Sequence, residues 1–199
     1  MVKYSMWRLL VVGLLLLAGC DVNYSAMKDP TVRISTNEAT GSGVVIGPYL
    51  VLTAAHVVEE AQWIKVGDGV ATLVWIGGED LDVALLRVDT PIETKPVRIN
   101  CAPLQEGTKL WAVGFPLTVL PKIVVEGTVV TDELYENMNL ATLAMIPGMS
   151  GGPVFNEKGE LVGLNRAIIV MPLRFASSAT GVAGIQPIKP VCDAQVGPV

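Results

Sequence analysis

The chain has 199 residues and a formal net charge of −5, with 51% hydrophobic and 17% charged residues. This balance excludes a disordered chain. An acidic chain without a basic stripe also argues against nucleic acid as a partner. With 20 glycines and 13 prolines punctuating valine-rich runs, the composition favours strands and turns over helices.

Lys3 and Arg8 flank the N-terminal region, and residues 9–18 form an uncharged apolar run. Ten or so apolar residues fall short of the roughly 20 a helix needs to span a bilayer, but they match the core of a secretory signal peptide. The run ends in Leu17-Ala18-Gly19-Cys20, which resembles the lipobox of bacterial lipoproteins. The resemblance implies cleavage after residue 19 and a diacylglyceryl group on Cys20. An uncleaved short anchor, or an ordinary signal peptide with a chance cysteine, are the alternatives. Asp21 resembles the enterobacterial signal for retention at the inner membrane, so the expected location is extracytoplasmic, on the periplasmic face of that membrane. Residues 20–30 read as an aperiodic tether carrying the lipid.

From Thr31 onward short apolar runs alternate with turn signals. Strands are expected at 31–36, 43–47, 50–53, 63–66, 70–76 and 82–88. A second set is expected at 109–114, 123–131, 140–145, 153–156, 160–170 and 182–186. Helical turns are expected only at 56–61 and 188–194. Six strands on either side of an irregular stretch predict an all-β fold of two six-stranded antiparallel Greek-key β-barrels. They span 31–103 and 104–199, and closure removes their sheet edges.

His56, the one histidine, ends an apolar run at Thr53-Ala54-Ala55-His56, where small neighbours leave the imidazole approachable. It is the natural candidate for a general base near neutral pH, although a histidine packed at a strand end reads the same way. Ser150 lies in Pro147-Gly148-Met149-Ser150-Gly151-Gly152-Pro153. Flanking glycines permit a loop that presents the Gly148 and Ser150 N–H groups as an oxyanion hole, where a plain turn would carry an incidental serine. Asp82 opens Asp82-Val-Ala-Leu-Leu-Arg-Val88 and can orient an imidazole, with Asp80 and Asp89 as rivals. The order His, Asp, Ser unites the three, because no histidine follows Ser150 to allow the other triad orders.

These residues resemble the trypsin-like serine proteases, in particular their HtrA-like bacterial branch. The resemblance runs from Gly41-Ser-Gly-Val-Val-Ile46 and Leu50-Val-Leu-Thr-Ala-Ala-His-Val-Val58 through the Asp82 strand and Trp111-Ala-Val-Gly-Phe-Pro116. It continues in Val125-Glu-Gly-Thr-Val-Val130, the Ser150 loop and Gly159-Glu-Leu-Val-Gly-Leu-Asn165. It covers roughly 31–192 and implies a serine endopeptidase with its active site between two barrels, acting on proteins or peptides without metal or cofactor.

The resemblance further implies a specificity pocket lined by Ala144, Met145, Asn165, Arg166 and Ala167. None is acidic, so small or medium apolar side chains are favoured over Lys or Arg. An inward-turned Arg166 would instead favour acidic ones. Met149 departs from the polar residue usual before the serine, and no PDZ domain is expected after the second barrel. Such enzymes often form trimers, but the contacts for an oligomer are not readable from sequence. A catalytically inactive or partner-activated peptide-binding lipoprotein, and an esterase using the same triad, are the rival readings. Cys101 and Cys192 are either a disulfide or two separate thiols.

Overall fold

A computed structural model of the protein describes residues 22–78, 80–116, 121–173 and 176–195. Cys20 and the apolar run before it lie outside the described residues. Among the described residues twelve strands form near the expected places, although the ninth is shorter than 140–145 and the last two run beyond 160–170 and 182–186. The first six are β1 (Thr31–Thr36), β2 (Thr40–Gly47), β3 (Leu50–Thr53), β4 (Ile64–Val66), β5 (Gly69–Ile76) and β6 (Ala84–Val88). The second six are β7 (Lys109–Gly114), β8 (Ile123–Thr128), β9 (Asn139–Ala141), β10 (Pro153–Phe155), β11 (Leu161–Leu173) and β12 (Ala176–Pro187).

Strands β1 to β6 close a barrel in the order β1-β2-β3-β6-β5-β4, the Greek-key permutation. The second six form one sheet in the order β8-β7-β10-β11-β12-β9. This sheet curls until its edges approach through a single bridge, Val129 to Ala141, rather than a full ladder. Main-chain bonds from Val130 to Leu140 and from Thr142 to Thr128 support that seam.

Three apolar cores follow from inward-facing alternation. One fills the first barrel around Ile34, Val51, Val57 and Leu86. A second fills the other sheet around Leu110, Leu143, Met149 and Ile185. The third lies between the two units, where Val44, Leu52 and Leu85 meet Trp111, Phe155, Leu164 and Ile188. Burial of this interface holds the two units against each other.

Residues 22–29 differ from the expected tether. They contain a short helix, α1 (Tyr24–Lys28), capped where the Asn23 side chain accepts from the Ala26 N–H at 3.1 Å. Met27 is buried and Val22 packs against the inter-barrel core. The Lys122 ammonium donates to the carbonyls of Lys28 and Thr31 at 2.6 and 2.8 Å, tying the end of α1 to the start of β8. Burial lowers the pKa of Lys122 from its ordinary value, a desolvation tempered by nearby Asp29.

Two further short helices, α2 (Ala55–Val58) and α3 (Lys189–Asp193), stand where helical turns are expected. The structure joins Cys101 to Cys192, linking the segment between the barrels to α3 across 91 residues of sequence. Reduction, or the Cys101→Ser/Cys192→Ser pair, is expected to cost about 2–4 kcal/mol of stability through the freed unfolded chain. Thermal melts with and without reductant measure this, and an unchanged melting temperature would mean the bond contributes nothing.

Candidate active site

Antiparallel pairing of β3 with β6 sets Thr53 opposite Ala84. The chain leaving β3 and the chain entering β6 therefore emerge at the same end of the barrel. His56 stands three residues beyond Thr53, in α2, and Asp82 two residues before Ala84. Their side chains meet, with His56 Nδ1 2.8 Å from Asp82 Oδ2. The other carboxylate oxygen accepts the His56 main-chain N–H at 3.0 Å. Asp82 thus holds both the ring and the backbone of His56, which fixes a donor hydrogen on Nδ1 and leaves Nε2 as the basic nitrogen.

Electrostatics follow this geometry. The hydrogen bond to Asp82 raises the pKa of His56 above its ordinary 6.5, against the opposing effect of burial. The charges of Asp82 and Glu59 push the same way, and Arg166 pushes against them. For Asp82, burial works to raise the pKa but is outweighed by the side-chain and main-chain bonds from His56 and by the charges of His56 and Arg166. The carboxylate is held below its ordinary 3.8. Asp80, the rival acid, instead accepts from the Asn137 side chain at 3.2 Å.

The serine comes from the second sheet. Pairing of β10 with β11 sets Pro153 opposite Leu164, so the loop before β10 and the residues after Leu164 share one end. Gly148 and Gly151 have φ of +94° and +79°, values that side chains rarely adopt. A Cβ on Gly151 would lie 2.3 Å from Thr53 Oγ1 and 2.5 Å from Ala54 N, so only glycine lets the loop close against the segment carrying His56. Among the described residues no acceptor within the protein receives the N–H of Gly148 or of Ser150.

Ser42, which the motif reading passed over, joins the loop to the first barrel. Its N–H donates to the Ser150 carbonyl at 2.8 Å and its hydroxyl donates to the Gly148 carbonyl at 2.9 Å. The same hydroxyl accepts the Phe115 N–H at 2.9 Å. Ser42 is fully buried, in a Gly41-Ser42-Gly43 run whose small flanks were the available signal. Met149, the apolar departure before the serine, is also fully buried and packs into the interior of the second sheet.

The five expected pocket residues part company. Asn165 is fully buried behind the loop. Its side-chain amide donates to the carbonyls of Val113 and Met149, each at 3.1 Å, and its main chain pairs with Gly151 and Gly152. It braces the loop and presents nothing to a substrate. Met145 is half-buried against the second core, and Ala144 is exposed. Arg166 and Ala167 line a cleft of about 540 Å³ together with His56, Asp82, Ile76 and Leu81. No group of histidine, cysteine and acidic residues able to hold a metal ion occurs among the described residues.

Residues 41–164 match the family described as the trypsin-like peptidase domain. The chain belongs to that family. Its relatives include the chloroplastic Protease Do-like 2 of Arabidopsis thaliana, 36% identical over 143 residues, covering 63% of this chain and 23% of the relative. The periplasmic serine endoprotease DegP of Salmonella typhimurium is 34% identical over 145 residues, covering 66% of this chain and 30% of the relative. The chain therefore spans about a quarter to a third of the length of these relatives. Among solved structures, the serine endoprotease of Yersinia pestis superposes with a TM-score of 0.72 at 24% identity, covering 88% of this chain and 66% of that one. The Rv3671c protease of M. tuberculosis, in an inactive form, gives 0.69 at 21% identity, covering 87% and 92%. At these identities the two structures establish the shared fold.

The arrangement predicts a measurable role for Ser42. In Ser42→Ala the half-buried Phe115 N–H and the buried Gly148 carbonyl lose their partner, at a cost of roughly 1–3 kcal/mol. Urea unfolding reads the loss, and a change of under a few tenths of a kcal/mol would show that the cross-cleft bond is replaced.

Proposed function

We propose that the chain is a serine endopeptidase that cleaves proteins or peptides through an acyl-enzyme intermediate, with His56, Asp82 and Ser150 as its triad. The observation that supports this reading is that the Ser150 loop, with its two unpartnered N–H groups, packs through Gly151 against Thr53 and Ala54, the segment leading to the Asp82-held His56. Ser150 Oγ attacks the substrate carbonyl while His56 Nε2 takes its proton, and the imidazolium is stabilised by Asp82. The Gly148 and Ser150 N–H groups receive the developing oxyanion. Collapse of the tetrahedral species breaks the C–N bond, His56 returning the proton to the departing amine. Water then attacks the acyl-serine by the same route in reverse. The fold argues against the esterase alternative, which needs a strand-to-helix nucleophile elbow.

Burial of Met149 in the second core favours a self-sufficient enzyme over a partner-activated one, since the loop is anchored without a charged partner. The cleft beside His56 is walled by Ile76, Leu81 and Ala167, which favours apolar side chains of the substrate near the scissile bond.

A fluorophosphonate probe tests the reading. Soluble protein beginning at Val22 is expected to label, and Ser150→Ala is not. The labelling rate should rise with pH about a midpoint above 6.5, because His56 must be neutral to act and its pKa is raised in the folded protein. Asp82→Asn should slow the reaction roughly 10⁴-fold, as loss of the orienting carboxylate does in this type of triad. A folded parent that fails to label would favour the non-catalytic binding protein.

We further propose that the protein is a lipoprotein anchored through Cys20, at the periplasmic face of the inner membrane. The Cys101–Cys192 bond supports an oxidising, extracytoplasmic setting. With Val22 already packed on the core, only Asp21 separates Cys20 from the folded body, a reach of about 7 Å at most. Cys20→Ser is expected to release the protein from the membrane fraction, and retention there would overturn the anchor.

A further inference from the structure

Arg166 lines the cleft beside His56, but its guanidinium is committed to fixed partners. Pairing of β11 with β12 runs Asn165 to Ile185 and then Ala167 to Gly184, so Arg166 is the extra residue of a β-bulge. Bulges re-aim side chains, and here the guanidinium points across the cleft to the other barrel. Its Nε lies 3.6 Å from Asp82 Oδ2, the oxygen that also faces His56 Nδ1. Its Nη1 donates to the Glu136 carbonyl at 3.1 Å and to the Gln186 side-chain oxygen at 3.3 Å. Gln186 is buried, and the same oxygen accepts the Asp82 main-chain N–H at 3.2 Å.

We propose that Arg166, clamped by Gln186 and the Glu136 carbonyl, is a positioning residue of the triad that holds the Asp82 carboxylate in place beside His56. The inference rests on the proposed triad. Asp82 then has a partner on every side: His56 from α2, Gln186 from β12 and Arg166 from the bulge in β11. A fixed cation beside the carboxylate keeps it ionised. The same cation opposes a second positive charge on the imidazole and partly offsets Asp82 and Glu59, the acids that favour it. Although the His56 pKa stays raised overall, the Arg166 contribution lets the imidazole become neutral at lower pH than the acids alone would allow. A guanidinium so engaged is also not free to receive an acidic substrate side chain.

His56 being the sole histidine, its ring resonances need no assignment, and their titration can be followed directly by NMR. In a Ser150→Ala background, Arg166→Gln is expected to move the midpoint upward. Arg166→Lys, which keeps the charge, should leave it close to the parent value. The fluorophosphonate labelling of the Ser150 forms should show the same order, with Arg166→Gln losing more rate at pH 6 relative to pH 8 than the parent. Where circular dichroism shows Arg166→Gln unfolded, Arg166→Met keeps the aliphatic stem and carries the same expectation. A midpoint in the neutral variant equal to or below the parent's would overturn the proposal, leaving Arg166 a packing residue. Failure of the protease reading is distinguishable, because the parent would then not label while the histidine titration would still be measurable.

Discussion

The cleft depends on one short stretch of main chain, Ser42 of β2, which bonds to both carbonyls that flank Met149. Two barrels packed on an apolar interface are free to slide by small amounts, because burial of surface is non-directional. Hydrogen bonds are directional, and those from Ser42 to Gly148 and Ser150 fix where the Ser150 loop stands relative to α2. The close approach is possible because Gly41 and Gly151 lack side chains; a Cβ on Gly41 would sit 3.0 Å from the Ser150 carbonyl oxygen and 2.8 Å from a Val57 methyl. The histidine helix, the first strand pair and the serine loop are therefore packed on one another through two glycines.

The loop's other face is held from inside the second sheet. A polar side chain before the serine would need a charged or hydrogen-bonding partner in the interior. Met149 needs only volume, and burying it contributes about 1.5–3 kcal/mol. Asn165 supplies the direction that methionine cannot, donating to the carbonyl of Met149 itself and to that of Val113. An apolar peg with a polar brace thus does the positioning.

Strand positions were legible because alternation, valine runs and turn residues agreed, as at 31–36, 50–53 and 109–114, where the bounds coincide with β1, β3 and β7. The pairing of His56 with Asp82 was legible because one histidine and a strand-opening aspartate suggested it. Three things were not. The helix at Tyr24–Lys28 has five residues and one buried side chain, too little for periodicity to register. The roles of Asn165 and Arg166 turn on a bulge, and one inserted residue leaves no mark on composition while it reverses which face each side chain takes. The union of Cys101 with Cys192 depends on a distance that sequence separation does not carry.

Asp82 shows how the site's chemistry and its architecture constrain each other. A carboxylate largely removed from water destabilises the fold unless its charge is matched. Here each match comes from a different part of the chain: α2 supplies His56 twice over, β12 holds the backbone through Gln186, and the β11 bulge brings Arg166. The stabilisation from the carboxylate's lowered pKa is present above about pH 4 and disappears as pH falls through the depressed value, when the protonated acid gives up its hold on His56. The raised pKa of His56 has the opposite sign, stabilising the fold below about pH 6.5 and ceasing to do so as pH rises through the folded value. The proposed catalysis belongs to the upper side of both, with the acid ionised and the imidazole neutral. There the pair gives up the histidine's share of stability in exchange for a free base, and the inter-barrel hydrogen bonds must hold the cleft together in its place.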